Sequence, residues 1–288
     1  MSILVIGDVI LDSYVIGEVN RLSPEAPIPV LEKTTQFYKL GGAANVANNI
    51  RDVKTELRAV GGIYNFGIYN KLLRTVKFAS LIDLTNPLFL EKTRYASKSH
   101  HYLLRVDTGT VYESSFVDND IIVNAAKEAN VVVLSDYCKG TITADLVRKL
   151  NRLKADKKFI IDSKNYKDKN IYYRAFLMAP NTVELKALLN KDIVDDMSIQ
   201  AFMRAYEVEN VLHTMSEEGM TLHTMGKPPI HFPVLAQSVY DVTGAGDTVV
   251  ATIAEYLAKG ETLTNAVKEA NRRAAIVIQH FGTSTIEG

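Results

Sequence analysis

Short, unbroken apolar runs constrain this chain more than any other feature. They read ILVI (3–6), VVVL (131–134), FII (159–161), FLM (176–178) and NVLHT (210–214). A run without alternation suits a strand buried on both faces, and most of these runs are separated by enough chain for a crossover helix. Together they predict an α/β fold with a mostly parallel sheet covered on both sides. Polar and turn residues follow each run: Gly7 and Asp8, Ser135 and Asp136, Asp162 to Lys164, Pro180 and Asn181, Ser216 to Gly219. In parallel sheets that carboxyl edge is where ligands bind.

Bulk properties exclude several classes. With 288 residues the chain can bury a sizeable core. Lys plus Arg equals Asp plus Glu, at 33 each, so no basic surplus points to nucleic acid or to a membrane surface. A single cysteine, Cys138, rules out an intramolecular disulfide and suits a reducing compartment. The first residues, MSILVIGDVILDSYVIG, lack a basic n-region, and Asp8 and Asp12 interrupt the apolar run. No apolar stretch approaches the ~18 residues of a membrane span. A cytoplasmic protein is expected.

Two segments break the parallel pattern. Residues 13–35, with three prolines, and residues 91–107 lean toward strand and form no crossover helix. They predict a small sheet standing off the main body as a lid, inserted in a single domain spanning 1–288. His100 and His101, as neighbours in a strand, would face opposite sides of that lid. A helix follows residue 245, with Val250, Ile253, Ala254, Leu257 and Ala258 on one face and Gly260 just past its end. A second fits Val267, Ala270, Ala274, Val277 and Ile278.

The string DVTGAGDT (241–248) opens the first of these helices. A helix start presents unpaired N–H groups and a positive dipole end. Glycines let backbone approach an anion without Cβ interference. Such a site suits a phosphate or the charge of phosphoryl transfer. Asp247 would take a proton from an attacking hydroxyl; alone, an aspartate here would be a helix cap. GAGDTV lacks the third Gly of a dinucleotide fingerprint, and the string has no Walker lysine.

DVTGAGDT resembles the C-terminal signature of the ribokinase (PfkB carbohydrate kinase) family, and LGGAANVANNI (40–50) its N-terminal signature. GDVILD, RLSPEAPIPV, LSDYCKG, TMSEEGM, VYDVTGAGDT and GTSTI are similar to the heptose 7-phosphate kinases within it. The resemblance spans nearly the whole chain. It implies a ribokinase-like, Rossmann-like, mostly parallel sheet with helices on both faces plus a small β-sheet lid that often mediates homodimerisation. It also implies ATP-dependent phosphorylation of the anomeric O1 of D-glycero-β-D-manno-heptose 7-phosphate to the 1,7-bisphosphate, a step toward nucleotide-activated heptose for lipopolysaccharide. Asp247 matches the catalytic base, and Gly244, Ala245 and Gly246 the anion hole. ATP, Mg²⁺ and K⁺ come with the family, K⁺ near Asp241, Thr243 and Ser284.

The remaining candidates read as follows. Gly41 and Gly42 would let backbone approach a sugar, and Asn45 would bind its hydroxyls; small residues packing a helix start are the alternative. Asp8 and Asp12 flank the first strand's end, Asp12 being the better sugar ligand and a turn residue otherwise. Glu25 in SPEAP would reach the site from the lid or sit in an exposed turn. Lys92, Arg94 and Arg105 would close the lid over a sugar phosphate; isolated surface cations are usually solvated. Asp136 ends a buried strand and needs a partner or a ligand. On the nucleotide side stand Lys164, Asn181 and Glu184, the last reaching Mg²⁺ through water or serving as a first-turn glutamate. Ser216, Glu217 and Gly219 would lie beside the nucleotide or form a polar turn. No protein cluster has metal spacing, and Cys138 reads as inert.

Against the heptose kinases, the sequence is expected to lack the cytidylyltransferase domain of bifunctional members. Its 61–90 region is shorter and less acidic, and it ends soon after GTSTI, where relatives continue into a helix. Other readings are a kinase of the same family for another sugar phosphate or a nucleoside, and a non-catalytic binding protein of this fold.

Overall fold

The computed structural model describes residues 1–60, 68, 71–72, 79–83, 90–109, 119–235 and 240–283. The carboxyl edge of one large sheet organises them. Its strands are β1 (Ser2–Gly7), β4 (Lys54–Val60), β5 (Ala79–Asp83), β8 (Val131–Asp136), β9 (Lys158–Ser163), β10 (Leu177–Met178), β11 (Asn210–Thr214), β12 (Met220–Thr224) and β13 (Ile230–Phe232). They lie in the order β13-β12-β11-β10-β9-β8-β1-β4-β5, parallel from β11 to β5 and antiparallel from β11 through β13. Four of the five expected strands fall within one of these; the fifth, 176–178, shrinks to the two residues of β10, with Phe176 outside it.

Unbroken apolar runs arise because the sheet has a core on each face. Ile3, Val5, Val131 and Val133 join α1 (Ala43–Asn49), α6 (Ala245–Ala258) and α7 (Leu263–Val277) on one side. Leu4, Ile6, Val132 and Leu134 join α2 (Asn119–Glu128), α3 (Ala144–Asn151), α4 (Thr182–Leu189) and α5 (Asp196–Tyr206) on the other. Period-two geometry sends successive side chains to opposite faces, so burying both faces demands apolar residues throughout. Among the described residues no helix is long and apolar enough to cross a membrane.

The segments expected to form a lid make a second, four-stranded sheet, β3-β2-β6-β7, built from β2 (Val9–Leu22), β3 (Pro29–Gly42), β6 (Glu91–Ser97) and β7 (Tyr102–Thr108). Its first two strands extend past the expected 13–35 at both ends. They are rooted in the main body, since β2 begins two residues after β1 and β3 runs straight into α1. The two histidines depart from expectation. They lie in the β6–β7 turn, not on a strand, and His100 has φ 63°. Its ring stacks on Phe281 with centroids 4.2 Å apart, and its Nδ1 lies 2.8 Å from the Tyr240 hydroxyl. Through half-buried His100 the lid tip thus touches the chain on either side of α6 and α7, while His101 stays exposed. Most of the 61–90 segment lies outside the described residues.

Helix α6 is anchored by a buried charge network. Glu255, with a fully buried side chain, accepts from Arg273 Nη1 on α7 at 2.8 Å, from Lys259 Nζ at 2.8 Å and from the Asp52 amide at 3.2 Å. Removing one partner leaves part of a buried carboxylate uncompensated. Arg273→Leu should therefore cost about 3 kcal/mol, read as a lower urea midpoint with an unchanged m-value; a midpoint equal to wild type would contradict this.

Candidate active site

Gly244 caps α6 in the left-handed region, at φ 84°. A side chain there would be strained, and its Cβ would sit 3.1 Å from Asn45 Nδ2 and 3.2 Å from Thr283 Cγ2. The helix therefore starts on a glycine. Within this first turn Ala245 N–H donates to the Val242 carbonyl at 3.2 Å, whereas the amides of Gly244, Gly246 and Asp247 find no acceptor among the described residues. A Cβ on Gly246 would meet nothing within 4 Å, so space is open beside these donors. This corrects the expected cradle: Gly244 and Gly246 keep free donors, Ala245 does not, and Asp247 adds its own.

The Asp247 carboxylate, 6% exposed, lies at the same point. Asn45 Nδ2 donates to Oδ2 at 2.7 Å, and the Tyr137 hydroxyl donates to Oδ1 at 3.2 Å. Burial pushes its pKa up to about 6; Asn45 opposes the rise, Asp12 adds to it, and Tyr137 and Lys164 oppose it. It is thus a carboxylate at neutral pH with a proton affinity raised toward that of a working base. Asn45, expected to bind sugar, serves this acid directly, and Asn49 Nδ2 steadies Asn45 through its Oδ1 at 3.1 Å.

Asp247 and Gly244 form one wall of a cleft whose other walls are Ile10, Asp12, Gly42, Lys92, Arg94, Tyr137, Thr243 and Thr283. The cleft lies where the lid strands leave the main sheet. Arg94 Nη1 donates to Asp12 Oδ1 at 2.6 Å, and Thr283 Oγ1 donates to Asp12 Oδ2 at 2.8 Å. Gly41 makes room for that carboxylate, because a Cβ would fall 2.4 Å from Asp12 Oδ2. At Gly42, with φ 59°, a Cβ would fall 2.4 Å from the Asp8 carbonyl. Both glycines are required by the fold's own close approaches. Lys92 differs from Arg94: among the described residues it makes no ion pair, it lines the cleft, and it holds its Nζ 4.8 Å from the centre of the Tyr137 ring. Burial lowers its pKa, against the pull of Asp12.

Several expected residues lie elsewhere. Glu25 sits exposed in the turn after β2, about 30 Å along the strand from Asp12 at ~3.3 Å per residue. Arg105 is exposed and pairs with Asp107 at 2.8 Å. Asp136 is buried and satisfied, accepting from Ser163 Oγ and the Cys138 amide, each at 2.8 Å. Burial, with Asp8 nearby, pushes its pKa up to about 6. Asp8 accepts the Tyr137, Lys139 and Thr141 amides at 2.9, 3.0 and 3.1 Å, so it holds a loop. Cys138 is largely exposed, and partial burial of its thiol beside Asp136 and Asp8 pushes the pKa up to about 11, which leaves it protonated.

A second cluster occupies the neighbouring strand ends. Asn181 and Glu184 close a capping box at the start of α4: Asn181 Oδ1 accepts the Glu184 amide and Glu184 Oε2 accepts the Asn181 amide, both at 2.9 Å. Glu184 Oε1 pairs with Lys164. Ser216 and Glu217 are exposed in the turn between β11 and β12. Gly219 closes that turn at φ 84°, where a Cβ would lie 2.2 Å from the Phe232 carbonyl. Of the expected K⁺ ligands, Asp241 already accepts from the Thr243 amide, the Gly282 amide, both at 2.9 Å, and the Tyr102 hydroxyl. Ser284 lies outside the described residues.

Tyr137 and Thr283 escaped the sequence reading. Each lies inside LSDYCKG or GTSTI, but nothing in residue type marks a tyrosine after a strand end as facing an acid 110 residues away.

The family model for pfkB family carbohydrate kinases matches residues 101–287. The chain belongs to the pfkB carbohydrate kinase family. This family member is 33% identical over 295 residues to the bifunctional protein HldE of Psychromonas ingrahamii and 37% identical over 298 residues to that of Escherichia coli O9:H4. The alignments cover 99% of this chain but only 62% and 61% of those proteins. Phosphofructokinase-2 from Escherichia coli, in complex with potassium, shares the fold at TM-score 0.79 and 17% identity, over 99% of this chain and 95% of that one. Ribokinase from Thermotoga maritima shares it too, at TM-score 0.77 and 18% identity over 98% of this chain and 94% of that one, so the fold is ribokinase-like.

The buried Asp12–Arg94 pair joins β2 to β6 at the base of the small sheet. Asp12→Ala would strand a guanidinium that is 8% exposed. It should lower stability by about 3 kcal/mol, measured by chemical unfolding; an unchanged midpoint would show that Asp12 is free for other work.

Proposed function

We propose that this chain is an ATP-dependent sugar kinase that phosphorylates O1 of D-glycero-β-D-manno-heptose 7-phosphate, giving the 1,7-bisphosphate for nucleotide-activated heptose. One observation carries the reading. Asp247, poised near pH 6, borders both a cleft lined by Lys92 and a helix start whose Gly244, Gly246 and Asp247 amides have no acceptor among the described residues. Similarity to HldE along the whole chain supports the choice of sugar.

In this reading the sugar occupies the cleft, with Lys92 facing its phosphate. The nucleotide follows the strand ends carrying Lys164, Asn181 and the Ser216–Gly219 turn. Asp247 takes the proton from O1 as that oxygen attacks the γ-phosphorus, and the amides of Gly244, Gly246 and Asp247 stabilise the charge on the moving phosphoryl group. The lid excludes water, which limits hydrolysis of the nucleotide. Among the described residues no three His, Cys, Asp or Glu side chains gather as a metal site. Both Glu184 oxygens have protein donors. The described residues thus offer Mg²⁺ no direct ligand set; it would arrive with ATP and keep its waters, and bound there it would neutralise phosphate charge. Asp241 has protein donors on both oxygens, a donor set that does not call for K⁺, and no step is assigned to that ion.

The partner assigned to the lid is a second copy. Edge strand β7 leaves Leu103, Leu104 and Val106 exposed at 41%, 59% and 41%, as an open sheet edge does when it awaits pairing.

ADP release across a panel of sugar phosphates tests the substrate, with heptose 7-phosphate expected to be the best. A better nucleoside or unphosphorylated sugar would overturn that choice. Asp247→Asn should lower kcat by about 10³-fold while leaving KM for ATP nearly unchanged; turnover within a few-fold of wild type would remove the base. Because the base must be ionised, kcat/KM should fall as pH drops through about 6. Lys92→Ala should raise KM for the sugar phosphate and not for ATP. Leu104→Glu with Val106→Glu should turn a dimer into a monomer by light scattering.

A further inference from the structure

We propose that Tyr137 is the positioning residue for this reaction, its hydroxyl orienting the base Asp247 and its ring orienting Lys92. The inference rests on the kinase reading for its consequence, though the positioning itself is measurable without a substrate.

The geometry is built from both sides. Tyr137 opens the loop after β8, and that loop is held by two buried acids. Asp8 takes the amides of Tyr137, Lys139 and Thr141, and Asp136 takes that of Cys138. Cys138 adopts φ 57°, a conformation that non-glycine residues rarely accept. Two carboxylates and a strained residue thus fix the direction of a single side chain. The Tyr137 hydroxyl reaches Asp247 Oδ1 at 3.2 Å, while Asn45 takes the other oxygen at 2.7 Å. Both carboxylate oxygens are clamped, one from the lid-proximal helix α1 and one from the sheet edge.

The ring has a second use. Lys92 Nζ from the lid lies 4.8 Å from its centroid, and Lys164 Nζ from the nucleotide side lies 5.8 Å away, both within cation–π range. One side chain touches the base, the sugar-side cation and the nucleotide-side cation.

The charged groups around Asp247 are Asp12 on β2, Lys92 and Arg94 on β6, Asp162 at the end of β9 and Lys164 just beyond it. Asp12 and Asp162 favour the protonated acid and Lys164 the carboxylate. All remain when Tyr137 loses only its hydroxyl. A donor to the ionised form lowers an acid's pKa, so removing it must raise the pKa of Asp247.

The test compares Tyr137→Phe and Tyr137→Leu with wild type. Among the described residues the hydroxyl bonds only Asp247, so the phenylalanine variant should keep its unfolding midpoint within a few degrees. The Asp247 side-chain carboxyl is followed by ¹³C NMR without substrate, assigned by its loss in Asp247→Asn. In Tyr137→Phe its titration should move up by about 0.5–1 pH unit. The acid limb of kcat/KM should move with it, and KM for the sugar phosphate should hold. Tyr137→Leu should further raise that KM about 3- to 10-fold as Lys92 loses its support. An unmoved Asp247 titration in Tyr137→Phe overturns the inference. Should wild type transfer phosphate to no sugar phosphate, the kinase reading fails instead, and the NMR titration still decides whether Tyr137 positions the acid.

Discussion

A carboxylate withdrawn from water must be given hydrogen-bond donors or it protonates, and the site of this protein is arranged around that requirement at Asp247. Donors come from Asn45 on α1 and Tyr137 beside β8, elements distant in sequence. They can meet only because the parallel sheet aligns the ends of its strands along one edge. The supply is sufficient to keep the acid ionised at neutral pH, and burial is sufficient to keep it basic. The amides at the start of α6, which find no acceptor among the described residues, stand beside it because a helix cannot satisfy its own first N–H groups.

The same constraint explains the other acids of that edge. Asp8 and Asp136 spend their oxygens on the loop that carries Tyr137, and Asp12 spends its own on Arg94 and Thr283. These bonds join the lid, the sheet edge and the segment after α7. Tyr14 reinforces the joint: its hydroxyl accepts the Thr283 amide at 2.8 Å, and its ring stacks on Phe37. The lid tip closes the circuit through His100 on Phe281 and Tyr102 on Asp241.

Much of this was legible in the sequence. Apolar runs report strands buried on both faces, which is why β1, β8, β9 and β11 were readable almost to the residue. The helix start at DVTGAGDT was readable because its glycines answer a local backbone need. The failures concern partners. Glu25 and Arg105 carry suitable charges, but their distance from the cleft is set by the length and direction of the lid strands. Gly41 and Gly42 accommodate Asp12 and Asp8, a need invisible without the facing atoms. Ala245 lost its place in the cradle to one turn bond with Val242. Tyr137 went unseen because its role depends on a residue 110 positions away.

The central claim is that the first turn of α6 receives the phosphoryl group in flight. Amide NMR of the ¹⁵N-labelled protein, with ADP, aluminium fluoride and heptose 7-phosphate as a mimic of that group, tests it most directly. The account predicts large shifts for the Gly244, Gly246 and Asp247 amides, with Ala245 much less affected. Shifts that spare those three amides while appearing elsewhere on the sheet edge would contradict it.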